Sequence, residues 1–509
     1  MLRTTAVLLI LAAPLAAQAP APGRNPALER ATATITEADV KRRIHIIADD
    51  SMLGRDTPSR GLDLTAQYVA DEFRRFGLKP GGEDGTFFQR YPIIRWKLDP
   101  VASHIGFMAQ GEHRHVGLDR LARYWYGAVP EEEIGGEAVV LAGPLDAQAL
   151  PAGALAGKVA MIALDRSPGA SSRDARRMLS VLSAAGPVAV VILSNRDSAA
   201  FAADVGRQEA VRMSVGSEPR GGLPILELLD GAAAPTLSRY GIDLAALRGA
   251  SSFTSRAVPG LRVMVDIKRE IVDRQTAPNV IGILPGADPR LRNEYVVYSA
   301  HMDHIGVRSG LTPDSINNGA DDDGSGTVGL MELAEAFSRP GVRPRRSILF
   351  LGVSGEEKGL WGSSYFASHP TVPITSMVAD LNMDMIGRNW ADTIVAIGKE
   401  HSDLGETLNR VNAAHPELHM TAIDDRWPEE NFYRRSDHFN FARRGVPILF
   451  FFNGVHADYH RVTDSPDKIN GEKEARILRL LFYLGQEIAN APDRPKWNPQ
   501  SYKEIVEGQ

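Results

Sequence analysis

The sequence contains no cysteine among its 509 residues. This absence excludes disulfide bonds, thiolate zinc sites and cysteine nucleophiles together. Export without disulfides is compatible with a bacterial envelope or secreted protein. Any metal ion that the protein binds must therefore be held by His, Asp and Glu side chains.

Long basic runs and long apolar runs are also missing. The formal net charge is -6, and no basic patch indicates binding to nucleic acid or to a membrane surface. No segment approaches the roughly 20 consecutive apolar residues that a membrane span requires. We therefore predict a mature protein outside the membrane, with a small molecule or a peptide as its partner; the oligomeric state stays open.

The N-terminus has the pattern of a secretory signal peptide. Arg3 precedes an apolar run at residues 6–15, and mostly small residues follow. We predict a signal peptide at residues 1–17, which would direct the protein to the periplasm or out of the cell. An uncleaved N-terminal anchor is the alternative.

The length predicts two or more domains, because a single core rarely grows to this size. Two helical patterns, at residues 36–48 and 62–76, belong to a helical part that spans residues 25–100. From 101 to 270 the composition shifts to Gly, Ala and short apolar runs, which predicts an inserted smaller mixed α/β domain with a core at about 135–255.

The last part of the chain, residues 275–495, alternates apolar runs with helical patterns, and a tail follows at 496–509. Near-continuous apolar runs such as YVVYSA and SILFLGV indicate strands that are buried on both faces. We therefore predict an α/β fold, a three-layer sandwich in which helices flank a mostly parallel mixed sheet.

Four of these apolar runs lead to chemically active side chains, and ligands collect beyond the carboxyl ends of strands in such sheets. The residues are His301 with Asp303, then Glu356 with Glu357, then Asp384, and finally His460. Asp303 could orient the imidazole of His301. Adjacent glutamates point in different directions, so one can bind a metal while the other faces a substrate water.

A glycine-rich acidic loop, NNGADDDGSG, follows the first of these runs. Its three adjacent carboxylates could form a metal site or simply a solvated loop, and their spacing does not fit the calcium-loop pattern. From the residues alone, either interpretation stands.

Taken together, SAHMDH, NNGADDDGSG, SGEEKGLWGS, NMDMIGR and YHRVTDSPDKI occur in an order that resembles the co-catalytic two-zinc aminopeptidases, relatives of glutamate carboxypeptidase and of the transferrin receptor ectodomain. The resemblance covers roughly residues 275–495 and the helices before residue 95. Residues 135–255 loosely resemble the protease-associated domain that is inserted in several exported peptidases.

The resemblance implies two Zn²⁺ ions, with Co²⁺ or Mn²⁺ as alternatives, and assigns a role to each site residue. Asp322 would bridge both metals and be followed by a cis peptide bond. His301 and Asp384 would complete one metal site, and Glu357 and His460 the other. Glu356 would act as the general base and Asp303 as the partner of His301; Tyr459, with Tyr433 as the alternative, would donate to the oxyanion.

These assignments predict a metallo-aminopeptidase that hydrolyses the N-terminal peptide bond of peptides. A carboxypeptidase acting on small acidic peptides is the alternative: Arg434 and Arg435 could hold a substrate carboxylate, whereas Glu429 and Glu430 could receive a free amine. A catalytically inactive binding homologue and a single-zinc glutaminyl cyclase are less favoured, because all five ligand positions and the base are present.

Overall fold

The structure is a computed structural model, and it describes residues 25–145, 149–164, 181–216, 223–310 and 313–508. The predicted signal peptide, residues 1–17, lies outside the described residues. Within the described ranges, no helix combines the length and apolar character that crossing a bilayer requires.

Helices and strands alternate along much of the described chain. The strands are β1 (Lys79–Pro80), β2 (Phe88–Ala109), β3 (Glu112–Gly117), β4 (Ala122–Tyr126), β5 (Ile134–Ala142), β6 (Lys158–Leu164), β7 (Ala189–Ser194), β8 (Arg212–Val215), β9 (Ile225–Leu229), β10 (Thr254–Leu284), β11 (Tyr295–His301), β12 (Ser347–Val353), β13 (Met377–Met383), β14 (Thr393–Ile397), β15 (Thr421–Ile423) and β16 (Ile448–Phe451). The α-helices are α1 (Pro26–Thr32), α2 (Glu37–Ile47), α3 (Arg60–Arg75), α4 (Ser198–Gly206), α5 (Asp230–Leu237), α6 (Leu244–Arg248), α7 (Gly324–Phe337), α8 (Trp361–Ser368), α9 (Leu404–Ala414), α10 (His438–Ala442), α11 (Gly471–Asn490) and α12 (Pro499–Tyr502).

The C-terminal half of the sheet has the strand order β15-β14-β16-β13-β11-β12-β10. Its centre is parallel, because β11 pairs in parallel with β12 and β13, and β13 pairs in parallel with β16. Antiparallel pairing of β14 with β16 and of β10 with β12 makes the sheet mixed. The predicted fold class, a mostly parallel mixed sheet flanked by helices, is confirmed.

Both faces of this sheet are covered, which explains the continuous apolar runs of its strands. Along β11, Val296 and Tyr298 enter a core that includes α2, α3, α7 and α11. Val297 points the other way, into a core with Phe366 of α8 and Phe441 of α10. The alternation of strand side chains thus divides a uniformly apolar segment between two helical layers.

The predicted N-terminal helices are present as α2 and α3. Thr36 caps α2, since its side chain accepts a hydrogen bond from the Asp39 backbone N–H at 3.1 Å. The predicted tail packs back on the larger sheet's part of the chain: Trp497 Nε1 donates to the Gly445 carbonyl at 2.9 Å, and Ile505 is buried.

The insert is a smaller sheet joined to the larger one by two long antiparallel strands, β2 and β10. Strands β5, β6, β7 and β9 pair in parallel, and two apolar cores cover the two faces of this smaller sheet. The predicted boundaries near 101 and 270 fall inside β2 and β10, so these two strands lead from the larger sheet directly into the insert.

Candidate active site

The candidate site lies at the edge of the sheet where the mutually parallel strands β11, β12, β13 and β16 end. His301 is the last residue of β11, and Asp384 directly follows β13. Glu356 and Glu357 come shortly after β12, and His460 lies in the loop after β16. Parallel strands end at one edge, which is why residues far apart in sequence meet there.

The five predicted ligands form two groups that share one carboxylate. His301 Nε2 lies 3.4 Å from Asp322 Oδ1 and 3.7 Å from Asp384 Oδ1. His460 Nε2 lies 3.2 Å from Asp322 Oδ2 and 3.1 Å from Glu357 Oε2. Two atoms bound to one tetrahedral zinc at 2.0–2.1 Å are about 3.4 Å apart. Asp322 therefore offers one oxygen to each group at a suitable separation.

Each of these five side chains has a buried polar atom without a hydrogen-bond partner: His301 Nε2, Asp322 Oδ2, Glu357 Oε1, Asp384 Oδ1 and His460 Nε2. Buried polar atoms are nearly always paired, and an isolated one is destabilising. Imidazole nitrogens and carboxylate oxygens are the donors that zinc accepts. The residues present thus fit a bound cation.

Asp321 and Asp323 use their oxygens within the protein. Asp323 Oδ1 accepts from the Gly326 backbone N–H at 2.8 Å and caps α7, while its Oδ2 accepts from the His301 N–H at 3.0 Å. Asp321 Oδ1 accepts from the Gly387 N–H at 2.7 Å. Asp323 also lies within metal-binding reach of His301 and Asp384, but its hydrogen bonds favour a supporting role. The Asp322–Asp323 peptide bond is cis, as the resemblance implies.

Asp303 supports two neighbours. Its carbonyl oxygen is 3.1 Å from His301 Nδ1, closer than its carboxylate oxygen Oδ1 at 3.7 Å. The same Oδ1 accepts a hydrogen bond from the Glu356 backbone N–H at 3.2 Å. One residue therefore fixes the imidazole of His301 and the backbone of Glu356, with the carbonyl as the nearer partner of the imidazole.

Two residues that the sequence did not single out for this site also contact it. His304, fully buried, places Nδ1 2.9 Å from Glu357 Oε1 and 3.6 Å from Asp322 Oδ2. Ser436 donates to Asp384 Oδ2 at 3.2 Å. His304 stands beside Asp303 in SAHMDH, so its position was a signal, whereas nothing in the sequence indicated Ser436.

Arg55 is the third residue that sequence reasoning missed. It is fully buried in a loop predicted as an ordinary connection, and it donates to the carbonyls of Met302 at 2.8 Å, Gly319 at 2.8 Å and Ile47 at 3.0 Å. It also donates to the carbonyl of Asn318 at 2.5 Å. One guanidinium thus ties the end of β11 to the acidic loop.

Burial and the charged groups of the site shift the pKa values of Glu356 and His460. Burial raises the pKa of Glu356 well above its usual range, and the carboxylates of Asp437 and Asp384 raise it further although His301 opposes them. Burial alone would lower the pKa of His460, but its contacts with Asp322 and Glu357 raise it to about 10. A metal ion must displace this proton when it binds.

A pocket with charged and aromatic lining opens beside the shared carboxylate. Asp322, Glu356, Asp384 and Tyr459 line it, together with Met385, Phe432, Arg435, Ser436, Phe450, Phe452 and Val455. The Tyr459 ring stacks on the His460 ring at a centroid distance of 3.9 Å. Tyr433, the alternative oxyanion donor, is buried between the rings of His401 and His438. The structure therefore brings Tyr459, and not Tyr433, to this pocket.

Comparison with known proteins finds similarity over the C-terminal part of the chain. Residues 279–485 match the sequence model of peptidase family M28. The chain is 36% identical over 263 residues to a probable zinc metalloprotease of Pyrenophora teres f. teres, covering 43% of this chain and 53% of the relative. It is 28% identical over 222 residues to a probable leucine aminopeptidase of Arthroderma otae, covering 42% and 58%.

Among solved structures, the aminopeptidase from Aneurinibacillus sp. strain AM-1 is 18% identical with a TM-score of 0.49, covering 93% of this chain and 98% of that one. The chain spans about half the length of the curated relatives that it matches.

Proposed function

We propose that this protein is a zinc-dependent aminopeptidase that hydrolyses the N-terminal peptide bond of peptides. The observation that carries the proposal is Asp322, whose two oxygens face two separate groups of unpaired histidine and carboxylate atoms. The family match and the two relatives, named as a zinc metalloprotease and a leucine aminopeptidase, support the same chemistry.

Two Zn²⁺ ions would be held in this site. His301, Asp322 and Asp384 would hold one, and Asp322, Glu357 and His460 the other; Co²⁺ and Mn²⁺ accept the same donors. When bound, such a pair supplies an acidified water and polarises the scissile carbonyl.

Glu356 is the general base in this proposal. It lines the same pocket as Asp322 and Asp384 without belonging to either group of ligands. A carboxylate in this place can take a proton from water and then pass it to the leaving amine. Asp303 holds the backbone of Glu356 through a hydrogen bond. Tyr459, which lines the pocket, donates a hydrogen bond from its hydroxyl group to the developing oxyanion.

The pocket also supports a choice of substrate. Three phenylalanines, Phe432, Phe450 and Phe452, line it close to the proposed metals. An apolar side chain buried among them would be removed from water, which stabilises the complex by about 1.5–3 kcal/mol. We therefore propose peptides with an apolar N-terminal residue as substrates.

One observation favours the alternative, a carboxypeptidase. Arg435 lines this pocket and lies over the Phe432 ring, 4.6 Å from its centroid. Its guanidinium could bind a substrate carboxylate, although Glu430 lies 3.3 Å away and competes for it.

Leucyl-anilide and its N-acetylated form distinguish the two activities. An aminopeptidase cleaves the free-amine anilide and loses this activity on acetylation. Cleavage confined to substrates with a free C-terminal carboxylate would overturn the aminopeptidase proposal. No turnover of either class in zinc-loaded protein would point to an inactive binding homologue.

Two further proposals concern the rest of the chain. We place the mature protein in the periplasm or outside the cell on the basis of the signal-peptide pattern at residues 1–17. We also propose that the insert, residues 101–270, is a protease-associated-like domain. N-terminal sequencing of the protein exported by a bacterial host tests the first proposal.

A further inference from the structure

A second group of metal-binding side chains lies on the insert, on the outer face of the strands β3, β2 and β10. Residues on the other face of β2, Ile105 and Phe107, are buried in the core of the insert. The strand register places His104 opposite Asp266 of β10, and Gly106 opposite His115 of β3. Because strand side chains alternate, His104, His115 and Asp266 share the outer face.

The donor atoms of this group are close together. Ligand atoms of His104, Asp266 and Glu133 all lie within 4.8 Å of one another, and His104 Nε2 is 3.6 Å from Glu133 Oε2. The latter separation is near the about 3.4 Å expected between two ligands of one tetrahedral ion. Glu133 comes from the loop before β5, so three separate chain segments converge here.

The central histidine, His104, makes no hydrogen bond through its buried Nε2 atom. Its side chain nevertheless lies beside two carboxylates. The His115 ring stands edge-on to the His104 ring, with centroids 4.4 Å apart. A surface cavity of about 400 Å³ adjoins the group and is lined by His115, Glu133 and Gly106, among others. The side chains of His104 and Glu133 are 23% and 42% exposed, so an ion can reach the group from solvent.

We propose that His104, Glu133 and Asp266 bind a divalent transition-metal ion beside the ring of His115. Imidazole together with carboxylate favours Zn²⁺ and its neighbours over Ca²⁺ and Mg²⁺, which prefer oxygen ligands alone. Lys268 Nζ pairs with Asp266 Oδ1 at 2.8 Å, and the second carboxylate oxygen remains for the ion. Such an ion would fasten the loop that carries Glu133 to β2 and β10.

This site shares no residue with the candidate active site, and the proposal does not depend on the peptidase activity. The test uses the full-length chain, stripped of metal with a chelator and titrated with Zn²⁺ by calorimetry and metal analysis. Glu133→Gln removes one ligand from an exposed loop position, so the fold is not at risk. His104→Gln removes the central ligand, and His45→Gln, which changes an exposed histidine of α2 far from this cavity, is the matched control.

We expect Glu133→Gln and His104→Gln each to bind one zinc ion fewer than the wild type, or to bind that ion at least about tenfold more weakly, since even residues that merely orient a ligand contribute this much. His45→Gln should bind the same number as the wild type, and all three variants should keep the wild-type hydrolysis rate. Glu133→Gln with the zinc stoichiometry and affinities of the wild type would overturn the proposal.

Discussion

Replacing Glu356 by glutamine tests the proposed proton transfer with little change of shape. The side chain lines the pocket but contributes no atom to the two groups of unpaired ligands. Glutamine cannot accept the proton, whereas the metal ligands are untouched. A positioned general base contributes about 10²–10⁴ in rate, which equals roughly 3–5 kcal/mol of activation free energy. We expect kcat of Glu356→Gln to fall by about this factor.

The assay follows hydrolysis of leucyl-anilide by zinc-loaded wild-type and variant protein, with metal analysis of the same samples. Glu357→Gln is the matched control, because it alters the neighbouring glutamate that is proposed to bind metal. We expect Glu356→Gln to lose rate and keep zinc, and Glu357→Gln to lose both. A Glu356→Gln variant with the wild-type rate would refute the assignment of the base, and one that loses zinc would make Glu356 a ligand.

Three further changes probe the ligands, the core and the support of the site. His460→Ala should lower zinc occupancy as measured by metal analysis, and wild-type occupancy would contradict its role as a ligand. Burial raises the pKa of Asp380 to about 8 in the folded protein, whereas an unfolded chain releases this proton near pH 4, so the wild type loses stability as the pH rises between these values. Asparagine does not titrate, so the free energy of unfolding of Asp380→Asn relative to the wild type should rise by ~4 kcal/mol from pH 5 to pH 8. Denaturant unfolding at both pH values measures this difference, and a difference that does not change with pH would contradict the prediction. Arg55→Met should lower the free energy of unfolding by about 3–5 kcal/mol, because the buried carbonyls of Met302, Ile47 and Asn318 lose their donor, whereas the exposed control Arg42→Met should change it by less than about 1 kcal/mol.

The sheet and its active edge could be predicted because their signals are local. The apolar runs of β11, β12 and β13 are continuous, and His301 and Asp384 come at or directly after the strand ends. Once the strands are taken as parallel, their ends must meet at one edge. The apolar pattern of the strands and their parallel direction were therefore sufficient to predict that His301 and Asp384 lie close together.

The different roles of the three aspartates in the acidic loop could not be predicted from the residues themselves. Asp321, Asp322 and Asp323 are chemically identical neighbours, and only the family resemblance selected Asp322. In the structure, the other two differ from it through partners elsewhere in the chain, such as the Gly387 N–H for Asp321. Such partners are fixed by the fold and leave no mark on the loop sequence.

The role of Arg55 and the course of the long strands also could not be predicted, because they depend on residues far away in the sequence. Arg55 donates to the carbonyl of Met302, 247 positions away, and any residue type offers such a carbonyl. In β2, the change of composition at residue 101 predicted a domain boundary, and the proline at position 100 cannot donate a ladder hydrogen bond. The register of β2 with β10 is irregular between Asp99 and His104, so the proline is accommodated there and the strand continues into the insert.

Anomalous diffraction at the zinc edge, from crystals of the zinc-loaded protein, tests whether Asp322 is shared by two zinc ions. We expect two peaks in this part of the molecule, one beside His301 and Asp384 and the other beside Glu357 and His460, with a carboxylate oxygen of Asp322 bound to each. A single peak in this part of the molecule, or two peaks that do not share Asp322, would contradict it.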